Sequence, residues 1–257
     1  MPGRRQIDGV SRFTLTEMPS AAEMTICSAL EENGLSAELT GLMHCLAQRS
    51  VETEISSGTS ITTVEEAARV HIADSLAVFG TAWLDGVDLL IDIGSGLGFP
   101  GLAVAAAQPR YEVSLLDGAR KKAEAAARIA RQCGIGNVSS LWGRAEELGV
   151  AESPHCGSYG IVMARALAPL AVLAEYAAPL LRVGGSLIAW KGVPGDDETA
   201  ACGNACETLG LELHEPHIVA PFPGSGERSL WRARKLADTP PGFPRRAGVA
   251  ARDPLGS

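Results

Sequence analysis

Apolar positions in the first third of the chain recur every three to four residues. Met24, Leu30, Leu39, Leu42 and Leu46 follow this spacing from Ala21 onward, and Glu31-Glu32-Asn33-Gly34 interrupts it. The pattern predicts two helices with a break between them. TEISSGTS (53–60) carries no apolar stripe and reads as a polar loop. ITTVEEAARVHIADSLAVFG (61–80) returns to helical spacing, with Thr63 as its N-cap and Glu66 completing a capping box.

Beyond Gly86 the period changes. LLIDIG (89–94), EVSLLD (112–117), VSSLWG (138–143), YGIVMAR (159–165) and SLIAWKG (186–192) are short apolar runs that end in small or polar residues. Helical patterns at 100–108, 119–133, 145–149 and 168–182 lie between them. This alternation predicts an α/β fold of the Rossmann-like type, a mostly parallel sheet with helices on both faces. ELHEPHIVAPF (212–222) and RSLWRARKL (228–236), split by PGSG, predict an antiparallel hairpin at the sheet edge. The expected organisation is therefore a disordered N-terminus (1–20), a helical extension (21–85), a Rossmann-like domain (86–238) and a basic tail rich in Pro and Gly (239–257), laid over the surface or left free.

Composition narrows the class. The 257 residues suffice for one full-size α/β domain with an addition. No run of about 18 uninterrupted apolar residues occurs, so no membrane span is expected. The first residues lack the apolar stretch of a secretory signal, and the six cysteines form no CxxC. Cys202 and Cys206, one helical turn apart, read as apolar thiols in a helix interior, so no metal site is expected. A cytoplasmic protein with reduced thiols is the expectation. The net charge of -8 is uneven: residues 1–109 hold five Lys and Arg against fourteen Asp and Glu, whereas 110–257 hold seventeen against sixteen. A basic site for an anionic partner therefore belongs to the C-terminal two thirds.

IDIGSGLGFPGL (91–102) is the centre of the candidate chemistry. Its glycines, Gly94 and Gly96 among them, permit a tight turn after a strand and close approach of a ligand to the main chain. No Gly-Lys-Ser/Thr follows, which excludes a P-loop. Pro100 stands where the first helical turn would offer its amides to a pyrophosphate, which disfavours a dinucleotide. Asp117 ends the next strand, where a carboxylate accepts from the ribose hydroxyls of an adenosine; this suits NAD and S-adenosylmethionine equally. Asp92, Asp117, Glu146 and Arg165 all fall near carboxyl ends of successive strands, with Ala145-Glu146 offering backbone or carboxylate to an adenine edge. A methyl donor carries its own electrophile, so a site without a triad or metal cluster suits it.

HIADSL, IDIGSGLGFPGL, LLDGARKK, GRAEEL, ARALAPL, AWKG, GERSL and PRRAG, in this order over residues 61–250, resemble the RsmG (GidB) family. That resemblance implies S-adenosylmethionine as cofactor and methylation of guanine N7 in 16S ribosomal RNA or the small ribosomal subunit. It implies that Gly94 and Phe99 contact the cofactor, that Ala145-Glu146 lie against the adenosine, that Asp117 holds the ribose and that Arg165 closes the pocket. It further implies a basic pair, Lys121 and Lys122, and a positive rim of Lys191, Arg228, Arg245 and Arg246. His71, with Asp74, braces the cofactor loop or the substrate, or His71 is structural. Phe99 and Trp190 are the aromatic candidates to stack on an exposed guanine. The chain departs from the family pattern at Ser95-Gly96, at Gly118 and in TEISSGTSITT (53–63). A monomer is expected. The competing readings are a methyltransferase for another RNA or a small molecule, and a non-catalytic RNA-binding scaffold.

Overall fold

The computed structural model describes residues 18–55 and 61–256. The expectation of disorder over 1–20 thus lies mostly outside the described residues. Within them, Ser20 starts helix α1 (Ala21–Glu32): its hydroxyl accepts from Glu23 N at 3.2 Å and its own N–H donates to the Glu23 carboxylate at 2.9 Å. Gly34, at φ 68°, ends that helix in the left-handed region, as the Asn-Gly break predicts. A single 3-10 turn (Ala37–Leu39) leads into α2 (Thr40–Ile55), which absorbs Thr53-Glu54-Ile55 from the stretch read as a loop.

Thr63 caps α3 (Val64–Ala67), accepting from Glu66 N at 3.2 Å, but Glu66 does not return the bond, so only half of the expected box is made. The helix continues through a π-helical stretch (Ala68–Ala73), where Asp74 N reaches Arg69 O, into α4 (Asp74–Leu76) and a 3-10 turn (Ala77–Gly80). A π-turn rotates the residues after it relative to an ordinary helix, and such turns recur at functional sites. Here it separates His71 from Asp74.

The sheet elements follow in alternation: β1 (Leu89–Ile93), α5 (Gly101–Ala107), β2 (Glu112–Asp117), α6 (Arg120–Gln132), β3 (Val138–Trp142), α7 (Ala145–Leu148), β4 (Tyr159–Arg165), α8 (Leu170–Ala177), β5 (Leu181–Lys191), α9 (Asp196–Leu209), β6 (Leu211–Leu213), β7 (His217–Val219), β8 (Arg228–Lys235) and α10 (Val249–Arg252). The strand order is β3-β2-β1-β4-β5-β8-β6, with β1 to β5 parallel. Order reverses between β1 and β4, the point where open α/β sheets place ligands.

One expectation is corrected and another refined. The helix read over 168–182 stops at Ala177, because Pro179 cannot continue it, and the strand begins at Leu181. The C-terminal strands form the expected antiparallel pairing at the sheet edge, with the outer strand divided in two. Pro216 breaks 212–222 into β6 and β7, and both pair antiparallel with β8, which lies inside the sheet against β5.

Alternation along the strands divides the core into two layers. Leu90, Val113, Leu115, Ile161, Met163 and Ile188 face α1 to α6, so the N-terminal helices share one apolar layer with the sheet. Ile91, Ile93, Val162, Ala164, Leu187 and Trp231 face α8 and α9, with Phe243 and Leu255 of the tail packed at the margin. Cys45 of α2 is bonded to Cys133 after α6 by a disulfide, which corrects the expectation that every thiol is reduced; Cys27, Cys156, Cys202 and Cys206 are free. No helix among the described residues is long and apolar enough to cross a membrane.

Candidate active site

The glycine loop between β1 and α5 is held from below by two aspartates. Gly96 takes φ 59°, which a side chain rarely tolerates, and so turns its N–H onto Asp117 Oδ2 at 2.9 Å. Asp117 Oδ1 accepts from Ala119 N at 2.7 Å, so one carboxylate fixes both the loop and the start of α6. Asp92 lies deeper, fully buried, with Oδ2 accepting from Gly101 N at 2.8 Å. Helix α5 can begin there only with glycine, because a Cβ on Gly101 would sit 2.4 Å from Leu115 Cδ2. Asp92 was expected among the cofactor contacts; it lies beneath the loop and supports it.

Asp92 Oδ1 and the Ser95 hydroxyl are buried and find no partner among the described residues. Burial pushes the Asp92 carboxyl up to about 7, against the Gly101 hydrogen bond and the Arg165 charge, which lower it. A carboxyl raised in the folded state makes its full contribution below the unfolded value near 4 and loses it as pH rises through 7. The expected result is a fall in unfolding free energy of order 2–4 kcal/mol between pH 4 and 8 that Asp92→Asn abolishes. Denaturant titrations of the two proteins at each pH measure it; parallel curves would show that Asp92 is ionised throughout.

Two cavities open at the carboxyl ends of the strands. The first, about 180 Å³, is lined by Gly94, Gly118, Ala145, Glu146, Leu167 and Tyr176. It joins the ends of β1, β2 and β3, and of the expected residues it brings together Gly94, Ala145 and Glu146 but not Asp117. Ala145-Glu146 were expected to offer either backbone or carboxylate to an adenine edge. Glu146 Oε1 accepts from Gly248 N of the tail at 2.9 Å.

The second cavity, about 350 Å³, is lined by Asp74, Arg165, Trp190, Lys191, Phe222 and Arg228. Arg165 was expected to close the cofactor pocket; it lines this cavity, two residues before the Leu167 wall of the first. Its Nη1 donates to Asp74 Oδ2 at 2.9 Å and to Val70 O at 2.8 Å, and its Nη2 meets His71 Nδ1 at 3.4 Å. His71 Nε2 faces Glu54 Oε1 at 3.1 Å. A guanidinium cannot accept, so Nδ1 accepts and Nε2 carries the proton toward Glu54. The imidazole stacks on Phe99, with 4.7 Å between centroids and 5° between planes. Phe99 is therefore a buried wall of the loop rather than an open stacking surface. Trp190 is buried too, donating from Nε1 to Asp74 O at 2.9 Å.

The residues Arg165 to Leu167 form the partition between the cavities. Ala166 takes φ 53°, the one left-handed non-glycine among the described residues, and Leu167 Cδ1 lies where a Cβ on Gly94 would fall. Such strain persists only where surrounding structure imposes it.

The expected cations divide. Lys121, Lys122, Arg228 and Arg246 are exposed. Lys191 lines the second cavity but is paired with Glu198 at 2.8 Å. Arg245 does not belong to an open rim: Nε and Nη2 hold both oxygens of Glu175, at 2.8 and 2.5 Å, and Glu175 is only 1% exposed. Sequence reasoning missed Glu54, Glu175, Leu167, Tyr176 and Gly248. Leu167 and Gly248 lie within ARALAPL and PRRAG but were not singled out there, and the others depend on contacts between residues far apart in the chain.

A glycine-rich turn over a strand-end aspartate, at the reversal point of a sheet closed by an antiparallel strand, defines a methyltransferase-like α/β fold. Solved structures share it: a [4+2]-cyclase, SpnF, at TM-score 0.50 and 17% identity, covering 68% of this chain and 83% of that one, and a geranyl diphosphate C-methyltransferase from Streptomyces coelicolor at TM-score 0.50 and 17%, covering 67% and 80%. The family model for rRNA small subunit methyltransferase G, GidB, matches residues 39–221. Proteins named ribosomal RNA small subunit methyltransferase G are 41% identical in Deinococcus radiodurans (77% of this chain, 78% of that protein) and 38% identical in Pelotomaculum thermopropionicum (77% and 82%). The chain belongs to the GidB family.

Proposed function

We propose that this protein transfers the methyl group of S-adenosylmethionine to N7 of a guanine in 16S ribosomal RNA. The carrying observation is the pair of cavities that meet at Arg165–Leu167, one suited to an adenosine and one to a base. In the first, Gly94 and Gly118 leave bare backbone at the mouth, Leu167 and Tyr176 supply apolar walls, and Asp117 stands ready to accept from ribose hydroxyls while holding Gly96. These residues fit the cofactor, which when bound supplies the electrophilic methyl group.

Guanine N7 carries a lone pair and no proton, so the second cavity needs no general base. Asp74 presents the acceptor that the guanine N1 and N2 donors require, and its charge offsets the cation that forms on the base. Arg165 fixes that carboxylate, and His71 fixes Arg165. Arg228 and the exposed Lys121 and Lys122 offer contacts to phosphate.

The test is incubation of the purified protein with radiolabelled S-adenosylmethionine and unmethylated 16S RNA, naked or in small subunits, with the label mapped to a nucleotide. Label on one guanine at N7 is expected. Cofactor binding without transfer to RNA would move the activity to another RNA or a small molecule. Loss of both would leave a binding scaffold.

A further inference from the structure

Trp142 ends the edge strand β3 and is 64% exposed, unusual for the largest apolar side chain. It is nonetheless held in place: its indole Nε1 donates to Gly118 O at 3.1 Å, and the Arg120 guanidinium lies 5.7 Å from its ring centroid. Gly118 and Gly143, its bonded and sequence neighbours, both line the first cavity. Ordinary packing does not account for an anchored ring left open to solvent beside a ligand cavity. The charges around it have one sign more than the other. Lys121, Lys122 and Arg144 are exposed and make no ion pair among the described residues, while Glu124 is engaged by Arg120 at 2.8 Å. Cations in the first turn of α6 oppose the helix dipole, and they do so in a chain of net charge -8.

We infer that Trp142 is a stacking platform for one unpaired base of an RNA substrate, with Arg120 ordering the ring and Lys121, Lys122 and Arg144 receiving the adjoining phosphates. This rests on the proposed action on RNA and adds a second point of contact, outside the base-sized cavity. A flat aromatic face flanked by cations is the arrangement that binds single strands without base selectivity. An acidic protein surface would satisfy the cations but leave the open indole face uncovered. Trp142 is thus a positioning residue: it touches the RNA away from the reacting atoms.

The test compares the native protein, Trp142→Phe and Trp142→Ala by fluorescence anisotropy with a labelled single-stranded RNA of mixed sequence and with the same RNA as a duplex. Loss of the ring is expected to weaken single-strand binding by about 5- to 150-fold, as one base stack contributes. Phenylalanine restores most of that loss, and duplex binding changes little. S-adenosylmethionine affinity by calorimetry stays at the native value, and in transfer assays KM for RNA rises while kcat holds. Unchanged single-strand affinity in a folded Trp142→Ala protein overturns the platform alone. A fall in cofactor affinity instead assigns the ring to the first cavity and also overturns it. A native protein that binds no RNA overturns both this assignment and the proposed substrate.

Discussion

Arg245→Ala is expected to be the most destabilising single change at the protein surface, lowering stability by about 3–5 kcal/mol, the range for stripping one partner from a buried ion pair. Glu175 lies on α8, almost wholly buried, and both of its oxygens are held by one guanidinium. Removing Arg245 strands that carboxylate in the interior. For a chain of this size the loss appears as a fall in melting temperature of roughly 10 °C. The control is the double replacement Glu175→Leu with Arg245→Met, which removes both charges and should recover most of the stability, since apolar pairs often replace buried ions without loss. Native-like melting of Arg245→Ala would show that the tail is held by its apolar contacts alone. Had Arg245 been a solvated rim cation, as the sequence suggested, its removal would shift melting little and weaken only RNA binding.

The second large effect concerns Asp117. One carboxylate orders two backbone amides, Gly96 N and Ala119 N, and in the proposed function it also accepts from the ribose hydroxyls of the cofactor. Hydrogen bonds to a charged group contribute about 1.5–3 kcal/mol each, so losing two ligand bonds in Asp117→Ala should weaken S-adenosylmethionine binding at least 100-fold. Asp117→Asn keeps an acceptor and should lie between. Isothermal calorimetry reads both. An alanine variant within about fivefold of native affinity would remove Asp117 from the cofactor site and leave it as a brace of the loop.

Strands β1, β2, β4 and β5 were legible because each carries an apolar run that is buried on both faces; the edge strand β3 is half-exposed and was legible from its spacing alone. The glycine loop and Asp117 were legible for a related reason: a turn that needs left-handed backbone can be written only with a few residue types. The edge pairing of β8 was legible, but the division of its outer partner into β6 and β7 was not. RSLWRARKL alternates as an edge strand does, and the pairing of both β6 and β7 along its outer side depends on Pro216 breaking the stretch before it. The site divided similarly. Its glycine loop and Asp117 carried signatures, while the partners of Arg165 did not: Val70, Asp74 and His71 stand 91 to 95 residues earlier in the chain. Nothing near Arg245 or Arg246 tells which of two adjacent arginines finds a buried glutamate 70 residues away.

The contact from Gly248 N to Glu146 joins residues 102 positions apart, in a cavity whose first wall is laid down at Gly94. During synthesis the loop, Asp117 and the sheet can all be in place while this side of the cavity is still unset. A nascent chain halted before residue 245 leaves Glu175 buried without its guanidinium and Glu146 without its amide. The order of translation therefore keeps the first cavity unfinished until Gly248 has been added to the chain.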